Sequence, residues 1–263
     1  MKQLFFQSFA LLMFHCCAAQ EIFRLAKPII GYRSAFFKDS TIVDLRFAQR
    51  CTQIQYTLNG QEPTETDFNY QNPIVIKQSQ VTLKAKVFGT GFLPSETATV
   101  TFIQDGLTIK SVEQPVPDES FQGNGAKTLY DDQGGIADMH SRNFFGYRRD
   151  SVMIVVALEK PRPVQSILLD FLQDEGSWIF LPQEVEVFFY DNKKEEFDLW
   201  TKKDFLADSL VKGSSTVFTI LTSGQKIVTD KIKIMLRPLL SIPAWHSAKG
   251  KQAWLFIDEI KIY

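Results

Sequence analysis

The stretch Phe171-Leu172-Gln173-Asp174-Glu175-Gly176-Ser177-Trp178-Ile179-Phe180-Leu181-Pro182 is an apolar strand running into an acidic, glycine-containing turn, followed by a tryptophan, two bulky apolar residues and a proline. Apolar runs flank it on both sides, Val164 to Gln173 before it and Val185 to Tyr190 after it. Neither has a helical period, so the unit reads as strand, decorated loop, strand. Burying one large apolar side chain stabilises a fold by ~1.5–3 kcal/mol. A loop carrying Trp178, Ile179 and Phe180 must therefore fold back on the core or offer those rings to a ligand.

Working outward, the same grammar fills the second half of the chain. Val152, Ile154, Val156 and Leu158 alternate, as do Ile167, Leu169 and Phe171, and then Val185, Val187 and Phe189. A charged turn, Asp191 to Glu196, leads to Phe197, Leu199 and Trp200; Val217 to Leu221, Ile232 to Leu236 and Trp254 to Tyr263 complete the set. Seven or so strands in this span predict a sandwich of jelly-roll type. The one candidate helix is Lys203 to Leu210. Toward the N-terminus, Ile42, Leu45 and Phe47 lie in one run, and Ile54, Tyr56 and Leu58 alternate in the next. Val81, Leu83, Ala85 and Val87, then Ala98, Val100 and Phe102, give two more alternating runs. Asn59-Gly60 is a hairpin-turn signal, and short antiparallel strands of this kind predict a small immunoglobulin-like sandwich. The fold class is thus all-β. Asp105-Gly106 and Pro115-Val116-Pro117-Asp118 mark a linker-like boundary. The domains divide as 1–19, 20–104 and 105–263.

Composition bounds the function. The chain has 263 residues, 44% hydrophobic and 22% charged, with a formal net charge of -1. That balance gives no footing for nucleic acid or an anionic membrane. Lys2, the apolar run Leu4 to Cys16, and the small residues Cys17-Ala18-Ala19 read as a secretory signal peptide cleaved after Ala19. The run is shorter than the ~20 residues that span a bilayer. A lipoprotein signal is the other option at Cys16 or Cys17. The protein is therefore expected to be exported, to the periplasm, cell surface or extracellular space. Cleavage leaves Cys51 alone, so no intramolecular disulfide can form.

Two resemblances follow. Ile54-Gln55-Tyr56-Thr57-Leu58-Asn59-Gly60-Gln61-Glu62-Pro63-Thr64, with Thr82 to Phe88 and Gly91 to Ser95, resembles the small β-sandwich at the C-terminal side of bacterial chitobiases and β-hexosaminidases. Farther on, Leu129-Tyr130-Asp131, Asn143-Phe144-Phe145-Gly146-Tyr147, the opening stretch, and Ala253 to Ile260 resemble the factor V/VIII type C (discoidin-like, galactose-binding-like) domain that ends bacterial β-N-acetylhexosaminidases. The resemblance implies a non-catalytic accessory that binds a glycan, N-acetylhexosamine- or galactose-containing, beside a partner glycoside hydrolase. A structural or protein-interaction module derived from such an enzyme is the alternative it leaves open. It also implies a structural calcium held by Asp131 and Glu259, although Asp132 stands where the family has glycine.

The residues weigh against an enzyme. A catalytic barrel needs ~250 residues of alternating β and α. Asp258-Glu259 is the only tempting carboxylate pair, and neighbours on an unbroken strand face opposite ways. His140 and His246 have no partner at triad or zinc spacing. For a sugar, loop aromatics and nearby polar groups are the requirement. The candidates are Phe144, Phe145, Tyr147, Trp178, Trp245 and His246, with Arg142 and Arg148 as donors to hydroxyls or carboxylates. Trp200 and Trp254 read as core.

Overall fold

The computed structural model describes residues 23–205 and 213–263. The expected signal peptide, with its cleavage and lipoprotein alternatives, lies outside them. No helix among the described residues is long and apolar enough to cross a membrane.

Among the described residues, eight strands build the first unit: β1 (Ile29–Gly31), β2 (Phe36–Phe37), β3 (Thr41–Arg46), β4 (Thr52–Thr57), β5 (Phe68–Asn69), β6 (Ile74–Ile76), β7 (Gln80–Gly89) and β8 (Ala98–Gln104). They form a three-stranded sheet, β1-β3-β6, facing a five-stranded one, β2-β8-β7-β4-β5. The alternation of Val81, Leu83, Ala85 and Val87 along β7 points the first three of these side chains at Val43, Leu45, Ile74 and Ile76 of the opposite sheet. Ile42 is the exception to the expected pattern. The inward residues of β3 are Val43 and Leu45, and Ile42 points outward, 60% exposed, beside Val75.

Among the described residues the second unit has nine strands: β9 (Ile109–Glu113), β10 (Phe145–Tyr147), β11 (Val152–Val164), β12 (Ile167–Gln173), β13 (Glu184–Asp191), β14 (Glu196–Asp204), β15 (Ser215–Leu221), β16 (Ile227–Arg237) and β17 (Leu255–Ile262). A four-stranded sheet, β10-β17-β12-β15, packs on a five-stranded one, β14-β13-β16-β11-β9. The core between them is the set the alternation singled out: Val152, Ile154, Val156, Ile167, Leu169, Phe171, Val185, Val187, Ile232 and Ile234, joined by Trp200. The candidate helix at Lys203 is instead the end of β14, paired with β13 through Val185; the rest of it, from residue 206, lies outside the described residues.

All of β12 and β17 is buried, on both faces. The inner face meets the opposite sheet; much of the outer face meets the first unit. Leu168 packs with Phe36 and Ile103 across the junction, and Phe218 and Tyr263 close the contact. Polar groups tie the same surface. Tyr32 Oη donates to Gly135 O at 2.9 Å, Gly134 N–H donates to Ser34 Oγ at 3.1 Å, and Tyr263 Oη donates to Gln104 O at 2.9 Å. The boundary at Asp105-Gly106 is therefore no loose linker. Leu107 N–H bonds Ile262 O at 2.7 Å, and a Cβ on Gly106 would fall 2.1 Å from that same oxygen. The chain needs glycine at this position because two backbones touch.

Gly135 combines a close approach at the junction with a left-handed backbone. Its φ is +73°, and a Cβ there would stand 2.2 Å from Ala35 Cβ. Gly135→Ala should cost about 2–4 kcal/mol, from left-handed strain plus overpacking. Gly224→Ala, with φ of +77° and open space around it, should cost about 1–2 kcal/mol from strain alone. Urea denaturation of the two variants measures the difference.

Candidate functional site

The opening stretch resolves its own question. Asp174 and Ile179 exchange both backbone hydrogen bonds, at 3.0 and 2.9 Å, closing a tight loop. Ser177 Oγ donates to Asp174 Oδ2 at 2.9 Å inside it. Ile179 folds back with Leu172, Phe144 and Phe256, and Phe180 with Leu239, Ile242 and Ala253. Trp178 is left half-buried at the edge of the second cluster, in a left-handed conformation with φ of +63°. A non-glycine residue costs about 1–2 kcal/mol there. The surrounding bonds hold it in place: Trp178 N–H to Glu175 O at 2.9 Å, and Trp254 N–H to Trp178 O at 2.8 Å.

The neighbouring loop presents Trp245. Its own backbone pins it through His246 N–H to Pro243 O at 3.1 Å and Lys249 N–H to His246 O at 3.1 Å. His246 is the bolt between the two loops. Its Nδ1 accepts from Ala248 N–H at 3.0 Å, so Nε2 carries the proton and donates to Glu175 O at 3.1 Å. Trp245 packs at 5.5 Å from the His246 ring and 6.3 Å from the Phe180 ring, and 45% of it faces solvent. Among the described residues it is the exposed aromatic of the second sandwich.

Three of the expected sugar-facing rings belong to the core. Phe144, Phe145 and Tyr147 are about 2% exposed or less. The reason is β10, which pairs with β17 through Phe145↔Ile257 and Tyr147↔Leu255. That pairing turns Phe145 and Tyr147 toward the inner face and Phe144 onto Phe256. A strand of three residues is too short for alternation to reveal. Arg142 is exposed, in the loop whose Met139 packs beside Phe144 and Ile179. Arg148 lies over Trp254 at 5.6 Å, and Trp254 is half-buried against Phe121 and Phe256. The rim thus gathers Trp178, Trp245 and His246, with Arg142 on another loop of the same sandwich.

A second constellation lies at the junction, and the sequence reading missed it. Along β12 and β17 the register steps from Leu169↔Ile260 to Phe171↔Ile257, so Asp258 and Glu259 both oppose Asp170. This is a β-bulge. It breaks the opposite-face rule that separated the two carboxylates in the sequence reading, and it explains why both are fully buried together with Asp170. The pair has no room for a sugar, since a Cβ on Gly134 would fall 2.0 Å from Asp258 Oδ2.

Burial pushes the Asp170 and Asp258 carboxyls well above the ordinary carboxylate range, and repulsion from neighbouring carboxylates, Glu259 among them, adds to it. The Gly135 N–H is the backbone dipole aimed at both. Glu259 is pushed up to about 8, again chiefly by burial, against the pull of Lys261. Lys261 is 3% exposed. Burial alone would lower it, but Glu259, Asp132 and Asp105 outweigh that and push it up.

Asp131 and Glu259 were the expected calcium ligands. Asp131 follows the short 3-10 turn Thr128–Tyr130, is half-buried and uses Oδ1 to accept Gln133 N–H at 2.9 Å. Glu259 Oε1 accepts Lys261 Nζ at 2.9 Å and Asp132 N–H at 3.3 Å. Calcium takes six to eight oxygens. Where a cation would sit against Glu259, the Lys261 ammonium already stands, 2.9 Å from Glu259 Oε1. The residues present do not fit the ion.

Residues 43–102, within the first sandwich, match the family model described as Fn3 associated. No curated protein matches the chain. Among solved structures, the family 32 carbohydrate-binding module from Streptococcus pneumoniae EndoD is similar at 17% identity over 60% of this chain and 96% of that one, with a TM-score of 0.38. Chitosan-binding module 1, derived from a chitosanase/glucanase of Paenibacillus sp. IK-5, is similar at 10% identity over 60% and 98%, TM-score 0.38. Reduced XRCC1 bound to the DNA pol beta catalytic domain is similar at 12% identity over 60% and 97%, TM-score 0.37. Likeness at this level assigns no ligand.

The buried carboxyls make stability depend on pH. The unfolded chain ionises Glu259 near its ordinary 4.5, whereas the folded chain holds the proton up to about 8. The folded state therefore binds more protons between these values, and Asp170 and Asp258 act in the same direction. Stability should fall by at least about 2 kcal/mol from about pH 5 to about pH 8, as read in urea titrations across pH. At the rim, His246→Ala removes one bond to each loop and should cost about 1–2 kcal/mol. It should also raise acrylamide quenching of tryptophan fluorescence as Trp245 loosens.

Proposed function

We propose that this chain is an exported, non-catalytic carbohydrate-binding protein whose second sandwich grips a glycan at the rim that carries Trp245. The single observation behind this reading is an indole that is 45% exposed yet held on two sides by Phe180 and His246. A flat apolar ring offered to water and already immobilised suits the apolar face of a pyranose, because little ordering entropy remains to be lost on binding. Trp178 adds a second half-buried ring on the adjoining loop, and Arg142 supplies a donor for hydroxyls or carboxylates. The discoidin-like resemblance supports an N-acetylhexosamine- or galactose-containing glycan, with a separate glycoside hydrolase as partner.

One observation favours the alternative, a structural or protein-interaction accessory. On the first sandwich, Ile29, Ile42 and Val75 are 62%, 60% and 54% exposed on one outer sheet. Among the described residues, however, the clusters that hold the rim loops are made of residues of the second sandwich, and Trp245 stays 45% exposed.

A glycan array with the mature chain, with and without EDTA, tests the proposal. Binding should appear on a subset of glycans and persist in EDTA. Trp245→Ala should weaken it at least about tenfold, ~1.4 kcal/mol, while shifting the melting temperature by less than about 3 °C. Silence across chitin, host and bacterial glycans would refute it.

A further inference from the structure

The buried positive charge at the junction does more than neutralise one neighbour. Lys261 Nζ lies 2.9 Å from Glu259 Oε1 and 3.0 Å from Asp105 Oδ1, and it hydrogen-bonds Asp132 Oδ1. Its fourth contact is the face of the Phe36 ring, with the centroid at 5.4 Å. These partners come from four places in the chain: the closing strand, the segment joining the two sandwiches, the loop after Tyr130, and β2 of the first sandwich. A single side chain, 3% exposed, therefore reaches both units and the segment between them.

The geometry around Asp132 shows how the position is built. Asp132 has φ of +59°, a conformation that glycine adopts freely and other residues rarely. Its N–H points at Glu259 Oε1 while its carboxylate turns to Lys261. One strained residue thus brings a donor to one side of the cluster and an acceptor to the other. Glu259 and Lys261 stand two apart on β17, where side chains share a face, so strand geometry sets the ammonium against the carboxylate.

We infer that Lys261 is a built-in cation that takes the place of a structural calcium, so that this sandwich and its junction with the first are held without metal. An ammonium with three donors meets three acceptor oxygens here, from Glu259, Asp105 and Asp132, which is a complete set for that group.

Two arms test this on the full mature chain. After EDTA treatment, calcium titration by calorimetry and elemental analysis should find no stoichiometric ion, and millimolar calcium should leave the melting temperature unchanged. One tightly bound calcium per chain, with a rise of roughly 5–10 °C at saturating ion, would overturn the inference. In the second arm, Lys261→Met keeps the stem and removes the charge. It should lower the melting temperature by on the order of 10 °C, because three buried or half-buried acidic side chains lose their donor. A Lys261→Met protein as stable as wild type would also overturn it. Should that variant fail to fold, the calcium arm on the wild-type chain still decides.

Discussion

A strand buried on both faces must be covered twice, and β17 imposes that condition on the whole molecule. Its inner residues, Leu255, Ile257, Ile260 and Ile262, meet the five-stranded sheet of their own sandwich. Its outer residues cannot be left to water, and the molecule covers them in two ways. Toward one end, Phe256 is roofed by Phe121, Phe144 and Trp254. Toward the other, Asp258, Glu259 and Lys261 lie beneath the first sandwich and the glycine loop at Gly134-Gly135. The two ends of one face thus define the two regions that matter, a rim and a junction.

The rim and the junction treat polar groups differently. At the rim, the bonds that join the loops are neutral, as in the His246 bridge. Neutral hydrogen bonds of this kind contribute modestly, ~1 kcal/mol each, and they serve to fix loops. At the junction the groups are charged or forced neutral, and desolvation dominates. An isolated buried carboxylate is costly, so Asp170 and Asp258 hold protons well above the usual range, while Glu259 leans on Lys261. The bulge at Asp258-Glu259 is what concentrates three carboxyls on one side of the sheet.

The loop aromatics sort by backbone rather than by side-chain type. Phe144, Phe145 and Tyr147 carry the chemistry of a sugar platform but are drawn into the sheet by β10. Trp178 and Trp245 carry the same chemistry and remain at the edge, because they lie in turns and not in named strands. Indole and phenyl rings are apolar in either setting; the pairing of their backbones decides which are offered to solvent.

Much of this was legible in the residues alone. Period-two alternation identified the inward positions of β7, β11 and β13, since a pleated strand with one core face buries every second side chain; β12 alternates too, but its other face is covered as well. The tryptophan loop was also readable, because it rests on local composition. What the linear order could not express was pairing between distant segments. The three-residue β10 exists only because β17 accepts it, the bulge exists only as a mismatch between β12 and β17, and the ammonium of Lys261 finds Asp105 and Phe36 only once two sandwiches have closed over it. Local pattern thus determined which strands form and which way most of them face, whereas long-range register, which no single segment encodes, decided which rings are exposed and what neutralises the buried charge.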